Sequence, residues 1–239
     1  MQEARDAVYR REELIYRNAL AGPEDVARFV MEGEGAVSFP RGRLRMESRL
    51  EESEGQKANI VFWCPEEFPD NIEISWDFRP LREPGLSMLF FAARGAAGED
   101  LFSPSLAPRN GEYRKYHSGD INALHVSYFR RKAPKERALQ VCNLRKSRGF
   151  HLVAQGADPI PSVADASIPY RIRVAKLGPY VEFGINGLTL FTWTDDGVTR
   201  GDVLGGGKIG FRQMAPLLAE YSELTVYRIA RNEPSHGHG

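Results

Sequence analysis

The chain has little cysteine, no excess of either charge and no long apolar run, and each shortage removes a class of protein. Two cysteines in 239 residues, Cys64 and Cys142, cannot build a disulfide framework and show no metal-ligand spacing. Lys and Arg number 32 and Asp and Glu number 32, so the formal net charge is zero. That balance disfavours a sequence-independent nucleic-acid binder, which carries a basic surface to displace counterions. It also disfavours a polybasic membrane-surface protein. No apolar stretch approaches the ~18 residues a spanning helix needs. The N-terminal run MQEARDAVYRREELIYRNAL has no apolar signal region, so the expected location is cytoplasmic, with both thiols reduced. Motifs are missing as well: no G-x-S-x-G elbow, phosphate loop, H-E-x-x-H or dinucleotide fingerprint occurs.

What remains is a turn-rich chain with 23 glycines, 15 prolines and a 10% aromatic content. Short β-type segments separated by turn residues fill most of it: AVSF, GRLRMES, ANIVFWC, NIEISWDF, SMLFFAA, ALHVSYFRR, ALQVCNL, FHLVA, YRIRVAKL, YVEFGING, LTLFTWT, GKIGFRQM and SELTVYRI. Only GPEDVARFVMEG reads as a short helix, with Pro23 in its first turn. No strand–helix–strand rhythm appears, so the fold class is all-β, an antiparallel sandwich or barrel. The expected organisation is a charged extension over 1–13 (a short helix or loose chain), one domain over 14–230 and a flexible tail over 231–239. Period-2 alternation puts Ile72, Ile74, Trp76 and Phe78 on one face, and Asn186-Gly187 predicts a tight hairpin. Trp63, Trp76 and Trp193 read as core rather than as sugar-stacking platforms.

The densest polar chemistry lies between Tyr113 and Asp158. It holds His117, His125 and His151, with Tyr116, Tyr128, Asn143, Arg131, Arg145 and Gln155. His, Tyr, Asn and Arg are the types that move a proton and stabilise the resulting anion, and equally the types that bind sugar hydroxyls and carboxylates. On ALHVSYFRR, alternation directs Leu124, Val126, Tyr128 and Arg130 to one face and Ala123, His125, Ser127, Phe129 and Arg131 to the other. The apolar pair Leu124 and Val126 marks the first face as core, leaving His125, Ser127 and Arg131 on the open polar face. If the strands over 139–144 and 150–154 pair nearby, Asn143 or Arg145, with His151, joins the open polar face. The competing reading is structural: a lone strand histidine is more often a hydrogen-bonded structural residue, and RRKAPKER is more often a solvated loop. Histidine spacings of 8 and 26 without cysteine or carboxylate in register argue against structural zinc. Asp195, Asp196 and Asp202 give a weak calcium signal.

The runs FWCPEEFPD, ISWDF, PGLSMLFFAARGAAGEDLF, YHSGDINALHVSYFRRK, CNLRKSRGFHLVAQGADP and GKIGFRQMAPLLAEY closely resemble the YesU-like family of uncharacterised bacterial proteins. The resemblance spans about Leu14 to Ile229. It implies a concanavalin A-like lectin/glucanase fold, a jelly-roll sandwich of two antiparallel sheets. It further implies association with enzymes and transporters for pectic rhamnogalacturonan and related uronate-containing glycans. Two better-known motifs of the fold are not matched. Glu-Ile-Ser-Trp-Asp at 73–77 lacks two acids of the glucanase strand, and the Gln-x-His of alginate lyases does not occur.

The expectation is therefore an enzyme acting on a small carbohydrate or oligosaccharide fragment, uronate-containing and of rhamnogalacturonan type, by elimination or hydrolysis. His125 or His117 would be the base, Tyr128 or Tyr116 a proton donor, and Asn143, Arg131, Arg145, His151 and Gln155 would bind substrate. The alternative is a non-catalytic carbohydrate-binding module. No cofactor or metal is expected, and no nucleic-acid or membrane partner; a homo-oligomer is allowed. The 32 basic residues are 25 Arg and 7 Lys, a bias toward planar contact with carboxylates.

Overall fold

The computed structural model describes residues 8–131 and 140–232. Alternating apolar residues on successive short strands force a sandwich, because each strand can bury only one face against a partner layer. The first sheet runs β3 (Gly35–Ser38), β4 (Leu44–Ser48), β15 (Leu218–Arg231), β6 (Ile72–Arg82), β11 (Tyr170–Leu177), β12 (Tyr180–Ile185) and β13 (Leu188–Thr194). A further strand, β1 (Tyr9–Asn18), pairs with the far half of β15. The second sheet runs β10 (His151–Ala157), β9 (Val141–Ser147), β8 (Ile121–Arg131), β7 (Gly85–Gly95), β14 (Lys208–Met214), β5 (Ile60–Trp63) and β2 (Val30–Glu32). Every strand pairing is antiparallel, so the architecture is the expected jelly-roll sandwich.

All thirteen predicted strands have a counterpart. The two that alternation did not reveal are β1 and β2. β1 lies mostly exposed against β15, so its residues carry no in–out alternation, and β2 has three residues. Residues 9–13, expected as helix or loose chain, belong to β1. The predicted helix over GPEDVARFVMEG is only a single 3₁₀ turn, Pro23–Val26, because Val30–Glu32 is drawn into the second sheet. The loop reading of RRKAPKER after Arg131, and the tail reading after Asn232, fall outside the described residues.

The core between the sheets centres on aromatic rings. Phe78 meets Tyr128 at 5.0 Å, Tyr221 at 5.5 Å and Phe129 at 5.7 Å between ring centroids. Buried polar tips are satisfied in place: Trp76 Nε1 donates to Tyr128 Oη at 3.1 Å, and Tyr221 Oη donates to Gln213 Oε1 at 2.8 Å. The Asn186-Gly187 hairpin has positive φ at both residues, 50° and 80°, as a two-residue turn between β12 and β13 requires.

A second apolar cluster forms on the outer face of the second sheet. Trp63, Phe90, Ile121 and Ala123 of the sheet pack against Leu101 and Tyr116 of residues 96–120, which join β7 to β8. Gly111 in that segment has a φ of 89°, and a Cβ there would stand 1.8 Å from the Asn59 carbonyl oxygen. Glycine is therefore what lets the segment lie flat on the sheet. It covers one part of the outer face and leaves the rest open.

Removing the ring at the centre of the core tests this packing. Phe78→Ala is expected to lower the unfolding free energy by about 3–5 kcal/mol in a urea titration. A loss below about 1 kcal/mol would contradict the account of the core.

Candidate functional site

Sheet register builds the open face. Residues directly opposite on neighbouring strands share a face, and here one row crosses five strands. Arg212 on β14 stands opposite Met88 on β7, Met88 opposite Ser127 on β8, Ser127 opposite Asn143 on β9, and Asn143 opposite Gln155 on β10. The adjacent row contains Phe90, His125, Arg145 and Leu152. Above these rows, the covering segment ends in a short helix α1 (Arg114–His117), which supplies Tyr113 and His117 as a wall. The turn between β9 and β10 adds Phe150. Together they enclose a cavity of about 130 Å³ lined by Arg130, Arg145, Arg212, Tyr113, Ser127, Asn143, Phe150 and three apolar side chains, Leu86, Met88 and Met214.

The electrostatics of this cavity are lopsided. Three guanidiniums line it and no Asp or Glu does, among the described residues. Arg212 is 1% exposed, and its Nη2 donates to the Gly111 carbonyl at 3.1 Å. Its Nε and Nη1 are buried without a partner among the described residues, and its plane lies over the Tyr113 ring at 4.7 Å. Burial draws the Arg212 pKa below the usual value. Arg145 is likewise lowered, by desolvation first and then by Arg130. Its guanidinium stacks on Phe150 at 3.7 Å, and its Nη1 donates to the Phe150 carbonyl at 3.0 Å. A buried cation left unpaired is costly, so the electrostatics here favour an anion over a cation.

Behind the cavity runs a hydrogen-bonded chain. Tyr113 Oη and His125 Nδ1 are 2.9 Å apart, and His125 Nε2 and Ser147 Oγ are 3.0 Å apart. The Ser147 hydroxyl donates to the Gly149 carbonyl at 3.3 Å. With that hydrogen spent, Ser147 accepts from His125 Nε2–H, which leaves Nδ1 to accept from Tyr113. His125 is 1% exposed, and its pKa lies well below the ordinary 6.5 because of burial, reinforced by Arg145, His117 and Arg212. Burial also lifts Tyr113 to about 12, against the opposing pull of Arg212 and Arg145.

The expected site residues are thus partly gathered and partly dispersed. His125, Asn143 and Arg145 lie on the open face, and Gln155 joins it by donating to Asn143 Oδ1 at 2.7 Å. His117 stands on the wall, its ring 4.9 Å from Tyr113 and 4.8 Å from Phe150. Burial, then Arg145 and Arg212, lower its pKa.

Four candidates are placed elsewhere. Tyr128 lies in the inter-sheet core, as its own alternation indicated. Tyr116 belongs to the covering segment and is buried between it and the sheet, where its hydroxyl accepts from the Gly111 N–H at 2.9 Å. Arg131 is a correction to the open-face reading. Phe129 has a φ of 48°, and the register slips between Gly85 and Ser87, so the bulge puts Phe129 in the core and Arg130 on the cavity. Arg131 instead pairs with Asp158 at 3.1 Å and binds the Ile160 carbonyl. His151 stands opposite Lys146, and alternation along β9 sets that pair on the other face from Arg145. The grouping of His151 with His125 and Asn143 is therefore corrected.

Lys146 also answers the calcium signal: its Nζ meets Asp195 Oδ2 at 2.6 Å and the Gly201 and Asp202 carbonyls at 2.8 Å each. An ammonium thus takes the Asp195 carboxylate, while the Asp196 carboxylate accepts from the Val198 and Thr199 N–H groups. No group of three metal-ligating side chains occurs among the described residues. Trp63 and Trp76 are fully buried, and Trp193 is half-buried against the core. The residues not singled out from sequence are Arg212, Arg130, Phe150 and the anchoring part played by Tyr113. One signal for Arg212 was present, since alternation in GKIGFRQM sets Lys208, Gly210 and Arg212 against Ile209, Phe211 and Gln213.

The lowered His125 pKa has a consequence for stability. Between the folded pKa and 6.5 the unfolded chain binds a proton that the folded chain does not, so stability is complete above pH 6.5 and is lost as pH falls below it. His117 acts in the same direction. Urea titrations from pH 7 to about pH 5 are expected to show this fall, with a shallower slope in His125→Gln. An unchanged slope in the variant would place His125 outside the effect.

Comparison with known proteins gives the same architecture. A crystal structure described as a protein of unknown function with galectin-like fold, from Bacillus subtilis, superimposes with a TM-score of 0.90. It is 55% identical, covering 94% of this chain and 100% of that one. The uncharacterized protein YesU of Bacillus subtilis (strain 168) is 55% identical over 224 residues, 94% of this chain and all of its own. More distantly, the exoplasmic/lumenal domain of VIP36, in a Ca²⁺/Man3GlcNAc-bound form, shares the fold at 10% identity and a TM-score of 0.59, covering 94% of this chain and 93% of that one. With the family model matching residues 13–226 as well, the chain belongs to the family described as domain of unknown function DUF1961.

Proposed function

We propose that the cavity binds a sugar fragment through a carboxylate, as in a uronate, and that the chemistry there is elimination beside that carboxylate. The observation that carries this reading is Arg212, buried at the cavity with two nitrogens unpartnered. A carboxylate there gains charge-assisted hydrogen bonds without displacing any protein acid. Arg145, Asn143 and Ser127 supply further polar contacts, and the VIP36 domain, solved with Man3GlcNAc, supports sugar as a ligand class for this fold.

Elimination needs a proton taken from the carbon bearing the carboxylate, with the resulting negative charge held by cations. Tyr113 borders the cavity with its hydroxyl on the neutral His125. The Tyr113 proton passes to His125 Nδ1 as the phenolic oxygen takes the substrate's C5 proton. The C4–O bond then breaks and its electrons leave with the oxygen, while the C5–H electrons close the C4=C5 double bond. Tyr113 protonates the departing oxygen and recovers its own proton from His125. His125 thus acts behind Tyr113 and does not touch substrate. Hydrolysis by paired carboxyls has less support, since the lining holds no such pair.

A second reading, a non-catalytic carbohydrate-binding module, has one observation in its favour. Both His125 ring nitrogens are occupied, as in a structural histidine. Incubation with saturated and unsaturated rhamnogalacturonan-type oligosaccharides, followed by mass analysis and calorimetry, separates the two. For an enzyme, the expected result is a changed product distribution that is lost in Tyr113→Phe and His125→Ala and reduced in His117→Ala. Unchanged glycan with measurable affinity supports the module. In either case Arg212→Met is expected to weaken binding by about 2–5 kcal/mol, roughly 30-fold or more. Undiminished affinity in that variant would remove the carboxylate reading.

A further inference from the structure

The proposed carboxylate site leaves two exposed apolar side chains unexplained. Phe150 is 49% exposed and Leu152 is 46% exposed, although both stand next to a buried polar floor. Leu152 sits opposite Arg145 in the register, and Arg145 stacks on Phe150, so the two apolar groups flank one guanidinium at the cavity mouth. The floor itself is recessed: Met88 is 4% exposed, Ser127 5% and Arg212 1%. With a volume of about 130 Å³, the cavity is smaller than the roughly 300–1,000 Å³ of pockets that enclose a whole drug-sized ligand. Tyr113 and His117 close it on the side of the covering segment. A polysaccharide bound along its length needs an open floor, which this recess does not offer.

We infer that the site takes a chain end: one terminal acidic ring enters the recess, and the next sugar lies on the Phe150–Leu152 shelf outside it. The substrate class is accordingly a short acidic oligosaccharide or the terminus of a longer one, not the interior of a polymer. This rests on the carboxylate reading of Arg212. An apolar shelf suits the C–H face of a sugar ring, and an edge contact of Phe150 with Tyr113 at 5.6 Å and a tilted one with His117 at 4.8 Å hold its ring at the rim.

The test is calorimetry on the full chain with galacturonate, its dimer, its trimer and long polygalacturonate, each beside its carboxyl-reduced analogue. The dimer is expected to bind about tenfold tighter than the monomer, the scale of one well-packed aromatic contact, and the trimer no tighter than the dimer. The polymer is expected to bind one protein per chain end. Leu152→Ser, which alters the shelf outside the cavity lining, should cut the dimer's advantage over the monomer and leave monomer affinity unchanged, whereas Phe150→Trp should keep the dimer gain. Stoichiometry that grows with polymer length, or affinity that keeps rising beyond the dimer, overturns the chain-end inference and leaves the carboxylate site standing. Equal binding of the reduced analogues, or no binding of any acid in the series, overturns the carboxylate reading and this inference with it.

Discussion

An unpaired guanidinium in the interior is the constraint around which the open face is arranged. Arg212 gives up hydration on entering the sheet and receives from the protein one carbonyl and one aromatic face. Those two contacts offset only part of the loss, because a buried cation ordinarily requires an anion. The partner groups both come from one place. Gly111 and Tyr113 lie in the segment over 96–120, which is held to the sheet by the apolar cluster around Trp63, Phe90 and Tyr116. The outer apolar cluster thus determines whether Arg212 is solvated or sequestered. Its cohesion is what keeps Arg212 out of water.

The same cluster links the cation to the proton-carrying groups. Tyr113 has its ring on Arg212 and its hydroxyl on His125, so one side chain connects the buried guanidinium with the buried imidazole. Opposing influences meet there. Burial raises the Tyr113 pKa while the two arginines oppose it, and the arginines with burial keep His125 neutral. An anion that neutralises Arg212 and Arg145 relieves the pressure on His125 and makes it a better proton acceptor. Ligand charge and proton affinity are therefore coupled through contacts of a few ångströms.

Much of the fold was legible because strand periodicity depends on nothing beyond the strand itself. NIEISWDF and YVEFGING place their core residues without knowledge of any neighbour. β1 escaped because a strand lying mostly in solvent has no apolar face to reveal it. The site was less legible, and Arg131 shows why: a single left-handed residue, Phe129, reverses the alternation and exchanges Arg131 for Arg130 at the cavity. His151 depended on pairing register, which adjacent sequence does not encode. Arg212 lies far from the His-rich segment along the chain and meets it only because β14 pairs with β7, which pairs with β8. Family membership through DUF1961 was legible from long runs of sequence, whereas the chemistry had to be built from side-chain geometry.

The central claim is that the sequestered Arg212 exists to receive a carboxylate. A crystal structure with a uronate-terminated disaccharide tests it most directly. The account predicts a carboxylate oxygen about 2.7–2.9 Å from Arg212 Nε or Nη1, with the sugar ring beside Tyr113. A disaccharide bound with its carboxylate in solvent, or seated on a different face of the sandwich, would contradict it.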